Sequence, residues 1–509
     1  MWPSIPDVSL QPILPILWLC AGAIAVLLVD AFHRGTLGGL TGLSLFFLAG
    51  AAASAVWGWD APQRAFSGMF VSDRLTHAFT FIFLLGTGLT ILLSHGYAAR
   101  EGIANGEYYA LVLFAAAGMI MMAGGSNLIT IFLGLEVMSL AVYVLAGFFK
   151  TRPASSEASL KYFLMGAFST GFLLYGIALI YGSTGTFDHV ALAETLARRA
   201  REGTTDWLLL SGMGLLVVGF GFKVAAVPFH MWAPDVYEGA PTSVTGFMAA
   251  AVKAAGFSAF LRVFAGPLAA LHVDWSGIVW VVAVLTMTIG NVAAITQRNL
   301  KRMLAYSSIA HAGYLLVALV ALNPAGAGGL LFYLLQYTLS TVGAFGVIIA
   351  LGGLSGQGRE PLELSDYDGL GYRHPAMGFA LALFMFSLAG LPPTAGFVGK
   401  FYVFSAAVQA GYTWLVILAV LNSVAAVYYY LEVVVHLYMR EPQEIRGVRE
   451  AVAGSLGAAS GPLNPQAVVL RVGVLVAAGL LIAAWGTLHL GIFPSQALAL
   501  ANLAVTGGF

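Results

Sequence analysis

Four charged side chains lie within segments that are otherwise apolar enough to span a membrane: Glu136, Lys223, Lys253 and Lys400. Placing one ionisable group at the centre of a bilayer costs roughly 2.5–3.5 kcal/mol, so four cost on the order of 10 kcal/mol. Residues of this kind typically face an internal cavity and take part in the passage of ions or protons. We therefore expect these four residues to carry the chemistry of the protein.

Glu136 lies near the middle of its span, in the stretch LGLEVMSLAVYVL. A carboxylate there could pair with a lysine, because opposite charges at close range stabilise each other. Lys223 is the partner that the chain offers. The alternative is a carboxyl group that stays protonated and hydrogen-bonds a neighbouring helix.

Lys223 lies in GFGFKVAAVPFHMWAPD, five residues before Pro228. A proline inside a helix frees backbone carbonyls, which could hold water beside the lysine. A buried lysine can gain and lose a proton at accessible pH. Snorkelling to the interface is the alternative, but Lys223 is far from either end of its span. The nearby His230 could transfer protons or have a structural role at the helix end.

Lys253 and Lys400 lie in segments rich in small residues. Lys253, in TSVTGFMAAAVKAAGFSAF, is surrounded by alanine and glycine, which leave space for water or for close helix approach. Lys400, in LAGLPPTAGFVGKFYVF, follows the Pro392-Pro393 pair. The Gly-Lys pair at this point is not a phosphate-binding loop, because the other glycine and the Ser or Thr of that motif are missing.

Three further residues are secondary candidates for a proton relay: Lys161, His311 and Tyr306. Lys161 is spaced i,i+4 from Glu157, and an ordinary ion pair on the helix surface would explain both. His311 lies in AYSSIAHAGYLL, flanked by small polar residues. It could relay protons or be a satisfied core histidine, and the sequence leaves both interpretations open.

The composition excludes a soluble enzyme. Of 509 residues, 59% are hydrophobic and 9% are charged, whereas soluble domains carry about 25% charged residues. The mean hydropathy is +0.87 and the formal net charge is zero, so nucleic acid is not an expected partner. The single cysteine, Cys20, excludes cysteine-ligated iron–sulfur clusters and zinc sites and is expected to be a packing residue. No dinucleotide, zinc or haem motif stands out, so we expect no cofactor and no metal in this chain.

Apolar runs of about 20 residues, long enough to cross a bilayer, recur fourteen times. The run at 374–408 is too long for one plain helix and is expected to be a single broken helix. Longer connections are expected at 184–206, 355–373 and 439–466. The first eleven residues lack a basic segment and are expected to lead into a retained helix. The predicted spans are 12–32, 36–57, 74–96, 107–124, 126–149, 158–183, 206–232, 243–265, 275–296, 301–322, 326–354, 374–408, 412–438 and 467–490.

The loops indicate an orientation. If both termini lie outside, Lys and Arg favour the inside loops by about two to one. A cluster at 198–201 on the outside is the weakest point of this assignment. The inside loops would hold Arg34, Arg100, Lys150, Arg152, Arg298, Lys301, Arg302, Arg359, Arg373, Arg440, Arg446 and Arg449, and the outside loops mainly Arg64, Arg74, Arg198, Arg199 and Arg201.

Proline interrupts two spans, the seventh at Pro228 and the twelfth at Pro392-Pro393. Broken helices in corresponding positions of two halves are typical of inverted repeats with sites at the membrane midplane. The odd offset of five spans turns the second copy upside down. We therefore predict an all-α polytopic fold with two inverted five-helix repeats, spans 4–8 and 9–13. The expected units are 1–100, 107–265, 275–438, and a loop with a C-terminal helix at 439–509.

Four stretches resemble the antiporter-like membrane subunits of respiratory complex I, whose relatives include the large subunits of multi-subunit cation/proton antiporters. They are LGLEVMSLAVYVL, FKVAAVPFHMWAPDVYEGAPTSVTGFMAAAVKAAGF, QRNLKRMLAYSSIAHAGY and FSLAGLPPTAGFVGKF. The resemblance covers at least spans 4–13 and implies fourteen helices with two inverted repeats. It also implies that Glu136 and Lys223 form the ion pair of one half-channel. Lys253 would be the connecting residue, and Lys400 would be the residue of the other half-channel.

Within that family the chain most resembles the N-type subunits. The M type carries a glutamate where this chain has Lys400, and the L type has a long lateral helix, whereas this chain ends about twenty residues past the last span. What the resemblance implies is a proton-translocating subunit in a bacterial inner membrane. NADH, FMN, iron–sulfur clusters and quinone would be bound by partner subunits, and the neighbours would be an M-like subunit and small K- and J-like subunits.

Two other functions stay open at this point. The chain could be a subunit of a Na⁺/H⁺ or K⁺/H⁺ antiporter that uses the same residues without a quinone reaction. It could also be a structural membrane spacer, in which case substitutions at the four buried charges would alter assembly alone. Genes for flavin and iron–sulfur subunits nearby would favour the proton-translocating complex I subunit, and genes for small antiporter subunits would favour the antiporter.

Overall fold

The computed structural model describes residues 9–32, 37–202, 206–352, 360–441 and 472–506. Apart from one β-hairpin, the described chain is helical. The helices are α1 (Leu14–Phe32), α2 (Leu37–Gly58), α3 (Arg74–Arg100), α4 (Gly106–Gly124), α5 (Leu128–Ala146), α6 (Pro153–Thr184), α7 (His189–Glu202), α8 (Trp207–Val224), α9 (Trp232–Gly239), α10 (Thr242–Phe247), α11 (Lys253–Phe264), α12 (His272–Ile295), α13 (Leu300–Ala321), α14 (Pro324–Gly352), α15 (Leu370–Arg373), α16 (Pro375–Ala389), α17 (Ala395–Gln409), α18 (Thr413–Met439), α19 (Val474–Ile492) and α20 (Ser495–Val505).

The predicted all-α polytopic architecture is confirmed. Thirteen helical runs in the described ranges are long and apolar enough to cross a membrane. The half-helices α16 and α17, of 15 residues each, correspond to the predicted broken twelfth span. The division into four units stays a prediction, and most of the predicted loop at 439–466 lies outside the described residues.

Three elements were missed by the search for apolar runs. Helix α7 lies in the predicted connection 184–206, where Leu192 and Leu196 are buried on one face while arginines follow on the other. Helix α20 follows the last span but has only 11 residues. Strands β1 (Gln63–Ala65) and β2 (Phe70–Ser72) form an antiparallel hairpin. Each is too short or too polar to register as a membrane span.

The two broken helices are built alike. Helix α8 ends at Val224 and is followed by Ala225 with φ +60°, and helix α16 is followed by Gly390 with φ +84°. In each break, the N–H of the residue after the left-handed one donates a hydrogen bond to the carbonyl five residues earlier. The N···O distance is 2.8 Å in the seventh span and 3.0 Å in the twelfth. Pro228 and Pro393 each follow three residues after the left-handed residue. The left-handed conformation costs an alanine roughly 1–2 kcal/mol and a glycine almost nothing.

Helices α5 and α13 begin in the same way, five spans apart. Asn127 and Asn299 cap them, each side chain accepting a backbone N–H of the first turn. The N–H of Leu128, the first residue of α5, donates to a carbonyl in the segment that follows α6, at 3.1 Å. The N–H of Leu300, the first residue of α13, likewise donates to a carbonyl in the segment that follows α14, at 2.7 Å. Because an odd number of spans separates them, the two starts lie at opposite ends of the bundle. This matching pattern supports the inverted repeat.

Close helix packing follows the same repeat. A Cβ at Gly118 would lie 2.6 Å from the backbone N of Met138, which joins α4 to α5. A Cβ at Gly290 would lie 2.7 Å from the backbone N of Ala310, which joins α12 to α13. Only glycine lets these backbones approach so closely.

The centre of the molecule is the run Thr242–Phe264, which is completely buried. It consists of α10, a π-helical turn at Met248–Val252, and α11. A π turn inside an α-helix is frequently found at functional sites, because the extra residue changes the direction of the side chains that follow. Lys253 is the first residue after this turn.

A buried ion pair ties α3 to α11 at one end of the bundle. The Arg262 guanidinium donates to both carboxylate oxygens of Asp73, at 2.7 and 2.9 Å, and to the Ala123 carbonyl at 3.0 Å. Burial raises the pKa of Asp73, but the charge and hydrogen bonds of Arg262 outweigh it and hold the pKa below its usual range. Asp73 also caps α3 by accepting the N–H of Thr76.

Candidate functional site

Helices α5 and α8 bring Glu136 and Lys223 to the same part of the protein, but the lysine bonds to a serine. The Lys223 Nζ donates to Ser139 Oγ at 2.6 Å. Within the described ranges, no ion pair of 4.0 Å or less joins Lys223 to Glu136. The Oε1 atom of Glu136 is buried and has no hydrogen-bond partner there. The ion pair that the family resemblance implies therefore stays a prediction.

Aromatic rings enclose the ammonium group of Lys223. Its Nζ lies 5.5 Å from the centroid of the Tyr143 ring and 5.6 Å from that of Tyr162, distances at which a cation is attracted to the ring faces. Tyr162 in turn stacks on Trp232 at 4.4 Å. A small cavity, with room for about one water molecule, lies beside Lys223 and is lined also by Tyr143 and by residues of α6 and α8.

Lys253 projects from the turn after the π helix toward α13. Its Nζ donates to the carbonyl and to the hydroxyl of Ser308, both at 2.5 Å. The side chain is buried among small residues, as the sequence predicted. Gly256 lies one turn further along α11, and a Cβ there would lie 3.6 Å from Lys223 Cγ. Helix α11 therefore packs against α8 close to both lysines.

His311 is held by hydroxyl groups on both sides of its ring. Its Nδ1 lies 2.7 Å from Tyr333 Oη, and its Nε2 lies 3.0 Å from Tyr430 Oη. Tyr430 also bonds Ser307 Oγ at 2.5 Å. A hydroxyl both donates and accepts, so these bonds satisfy the histidine and also form a chain along which a proton could move. Both interpretations of His311 remain compatible with this geometry.

Lys400 reaches back to the break in the twelfth span. Its Nζ donates to the carbonyls of Ala389 and Leu388, at 2.9 and 3.2 Å, and to Ser423 Oγ at 2.8 Å. It also lies 4.9 Å from the centroid of the Tyr314 ring. The carbonyls freed by a break thus bind Lys400. The sequence predicts such carbonyls beside Lys223, but the hydrogen bond of Lys223 goes to a serine instead.

Helix α13 connects these groups. Ser308 contacts Lys253, His311 shares Tyr430 with Ser307, and Tyr314 faces Lys400. Positions three and four apart on a helix lie on one face, so one side of α13 runs from Lys253 to Lys400. The structure therefore brings Lys253, His311 and Lys400 into one buried row along α13, and Lys223 adjoins the Lys253 end through α11.

The secondary candidates Lys161 and Tyr306 lie elsewhere, in a half-exposed ionic cluster. The predicted pair of Lys161 with Glu157 forms at 2.7 Å, and Lys161 also bonds Asp235 at 2.6 Å. Arg302 bonds the same Asp235 at 2.8 Å and lies 5.9 Å from the Tyr306 ring. Burial raises the pKa of Asp235, but the two cations outweigh it and hold the pKa below its usual range. A relay role for Lys161 and Tyr306 stays a prediction.

His230 lies at the break of the seventh span. Its ring is half-buried, and its Nδ1 has no partner among the described residues. The structure does not bring it into the row of lysines and His311, and its role also stays a prediction.

The residues that sequence reasoning missed are the neutral partners of the cations. They carry hydroxyl groups, which are common on membrane helices. Four of them had a usable signal, because Ser139 lies three residues after Glu136, and Ser307, Ser308 and Tyr314 lie three or four residues from His311, on the same helix faces. The missed partners are Ser139, Ser307, Ser308, Ser423, Tyr314, Tyr333 and Tyr430.

The fold and the site together define an antiporter-like membrane subunit, with two inverted five-helix repeats and buried lysines beside the broken helices. A family model described as NADH:quinone oxidoreductase/Mrp antiporter, TM, matches residues 125–426. The chain is 48% identical to NADH-quinone oxidoreductase subunit N of Trichlorobacter lovleyi, over 98% of this chain and 97% of that one. The same-named protein of Chloroflexus aggregans is 40% identical over 99% of each chain. The chain belongs to the NADH-quinone oxidoreductase subunit N family.

Solved structures of related membrane complexes contain chains with a similar fold. A chain of respiratory complex I from Thermus thermophilus with bound aureothin is 35% identical, with a TM-score of 0.75 over 96% of this chain and 99% of that one. A chain of the Mrp complex from Dietzia sp. is 24% identical, with a TM-score of 0.80 over 97% of both. The second likeness concerns the fold alone.

Proposed function

We propose that this membrane-arm subunit of NADH:quinone oxidoreductase translocates protons along the row Glu136, Lys223, Lys253, His311 and Lys400. The observation that carries the proposal is the continuous face of α13, which contacts Lys253 at Ser308 and Lys400 at Tyr314. A buried row of ionisable groups in a membrane protein is costly, which supports a functional role.

The mechanism is electrostatic coupling between neighbours. When Glu136 and Lys223 approach or separate, the charge that Lys253 experiences changes, and protons move without large helix motions. Moving one charge across 100 mV costs about 2.3 kcal/mol. That energy corresponds to a change in proton affinity of roughly fifty-fold, which a charge–charge interaction in a buried site can supply.

The redox chemistry belongs to other chains of the complex. NADH, FMN, iron–sulfur clusters and quinone would bind to partner subunits, and the driving electron transfer would take place there. The membrane neighbours would be an M-like subunit and small K- and J-like subunits. The location would be the bacterial inner membrane, with both termini on the periplasmic side.

The test is the substitution Lys223→Ala in the assembled complex. We expect loss of proton pumping together with loss of NADH–quinone electron transfer, because the path is obligatory and tightly coupled. Both activities would be measured in membrane vesicles, with assembly checked on a native gel. Lys150→Ala, which removes an exposed lysine after α5, is the matched control and should leave both activities unchanged.

An intact Lys223→Ala complex that pumps at full stoichiometry would contradict the proposal. The antiporter alternative predicts a different dependence, namely transport driven by Na⁺ or K⁺ gradients without quinone reduction. Its support is weaker, because the likeness to the Mrp complex concerns the fold alone.

A further inference from the structure

The Lys223 ammonium lies displaced along α5 from Glu136. It bonds Ser139 and faces the ring of Tyr143, residues three and seven positions after the glutamate. Its partner is therefore a neutral hydroxyl, although a carboxylate lies one helical turn away on the same face of α5. Ser139 also donates its own hydrogen to the Leu135 carbonyl, so its oxygen is oriented to accept.

One oxygen of the carboxylate at that neighbouring position has no hydrogen-bond partner within the described ranges. Glu136 Oε1 is buried, and the described residues offer it no hydrogen bond. Leaving a buried charged acceptor unpaired is costly, so this atom needs a donor in some state of the protein. The Lys223 ammonium, held at Ser139 one helical turn along α5, is a cation that could supply this donor.

The lysine has room to change partners. Its ammonium sits on a flexible four-carbon stem, and the small cavity beside it has room for about one group of the size of water. Gly166 lines the same cavity, and a Cβ there would lie 2.0 Å from Tyr143 Oη, so glycine keeps this space compatible with the tyrosine. A movement of one helical turn along α5 would bring Nζ from Ser139 to Glu136.

We infer that Ser139 is a second resting partner of Lys223, and that the ammonium alternates between the Ser139 hydroxyl and the Glu136 carboxylate. The inference rests on the proposed function. A carboxylate stabilises the ammonium by charge, whereas a neutral hydroxyl does so only weakly. Ser139 is thus a positioning residue that sets how often the ion pair is open.

The test uses three substitutions at this position in the complete complex. Ser139→Ala removes the acceptor, Ser139→Cys keeps nearly the same volume but offers a weak acceptor, and Ser139→Thr keeps the hydroxyl. We expect Ala and Cys to shift Lys223 toward Glu136 by roughly ten-fold or more, because a hydrogen bond to a charged group is lost. Coupled electron transfer and pumping should slow accordingly, and Thr should retain most of the wild-type rate.

The matched control is Ser44→Ala. Ser44 is also buried, and in the described part of the chain its hydroxyl bonds only the carbonyl of Leu40, in its own helix, at 2.8 Å. If Ser139→Ala and Ser139→Cys behave like Ser44→Ala, the inference is wrong. If Cys is normal while Ala is impaired, Ser139 serves packing only, which also overturns it. In a structure of the Ser139→Ala complex, the Lys223 Nζ should lie within hydrogen-bond distance of Glu136.

Double substitution separates this inference from the proposed function. If Ser139 acts by competing with Glu136, Ser139→Ala should lose most of its effect in a Glu136→Gln background, whereas a merely structural effect would add. Loss of activity in Lys223→Ala with a silent Ser139→Ala would sink the inference alone. Full activity in Lys223→Ala would sink both.

Discussion

Lys223, Lys253 and Lys400 each bond to uncharged oxygen atoms, either hydroxyl groups or backbone carbonyls. Such partners satisfy an ammonium but stabilise its charge less than a carboxylate does. A lysine held in this way can lose its proton when a neighbouring charge changes. A fixed buried salt bridge would hold the proton instead. At the scale of single residues, neutral partners are therefore what makes a proton path from these lysines plausible.

Tyr430 is the α18 residue whose hydroxyl bonds His311. Replacing it by phenylalanine removes the bonds to His311 Nε2 and to Ser307 at once and leaves buried polar atoms unpaired. We expect the coupled rate of NADH–quinone electron transfer to fall by about ten-fold. Tyr109→Phe, a buried tyrosine bonded to Thr41 near the N-terminal helices, is the control. Equal rates in the two variants would show that the His311 chain carries no protons.

At the scale of elements, the site is held by the two helix breaks, the π turn and a buried ion pair. The breaks at Ala225 and Gly390 turn the seventh and twelfth spans, and the π turn aims Lys253 at α13. The buried pair of Asp73 with Arg262 fixes the end of α11, the helix that begins with Lys253. Removing one partner of such a pair leaves an uncompensated buried charge.

Asp73→Asn should therefore destabilise the subunit by about 3–5 kcal/mol, although asparagine can still cap α3. Asp60→Asn, which breaks an exposed pair with Arg74, should cost only about 0–1 kcal/mol. The measurement is the temperature at which the purified complex loses this subunit. Because the pKa of Asp73 is lowered, its contribution is fully present above the ordinary aspartate pKa and is lost as the pH falls through the lowered value. Similar losses in the two variants would contradict the assignment of Asp73.

At the scale of the whole molecule, the inverted repeat requires the corresponding starts of α5 and α13 to lie on opposite sides of the membrane. Which side is periplasmic depends on the loop charges alone, and so remains our proposal. The chain offers a direct experiment because Cys20 is its single cysteine.

In a Cys20→Ala background, Asp60→Cys should react with a membrane-impermeant thiol reagent added to the periplasmic face, and Lys150→Cys should not. Both positions are exposed, and they lie at opposite ends of the bundle. The reagent would be applied to spheroplasts that contain the assembled complex. Labelling of Lys150→Cys alone would reverse the orientation while leaving the fold unchanged.

The sequence by itself determined the membrane class, the spans, both helix breaks and the four costly charges, because hydropathy, proline and buried charge act locally along the chain. It indicated the repeat through the spacing of the breaks. It missed α7, the β-hairpin and the neutral partners of the lysines. Only the tertiary structure decided that Lys223 bonds Ser139, that Lys253 bonds Ser308, and that α13 joins them to Lys400. Those contacts depend on the rotation and packing of helices distant in sequence, and one buried serine looks like any other until that packing is known.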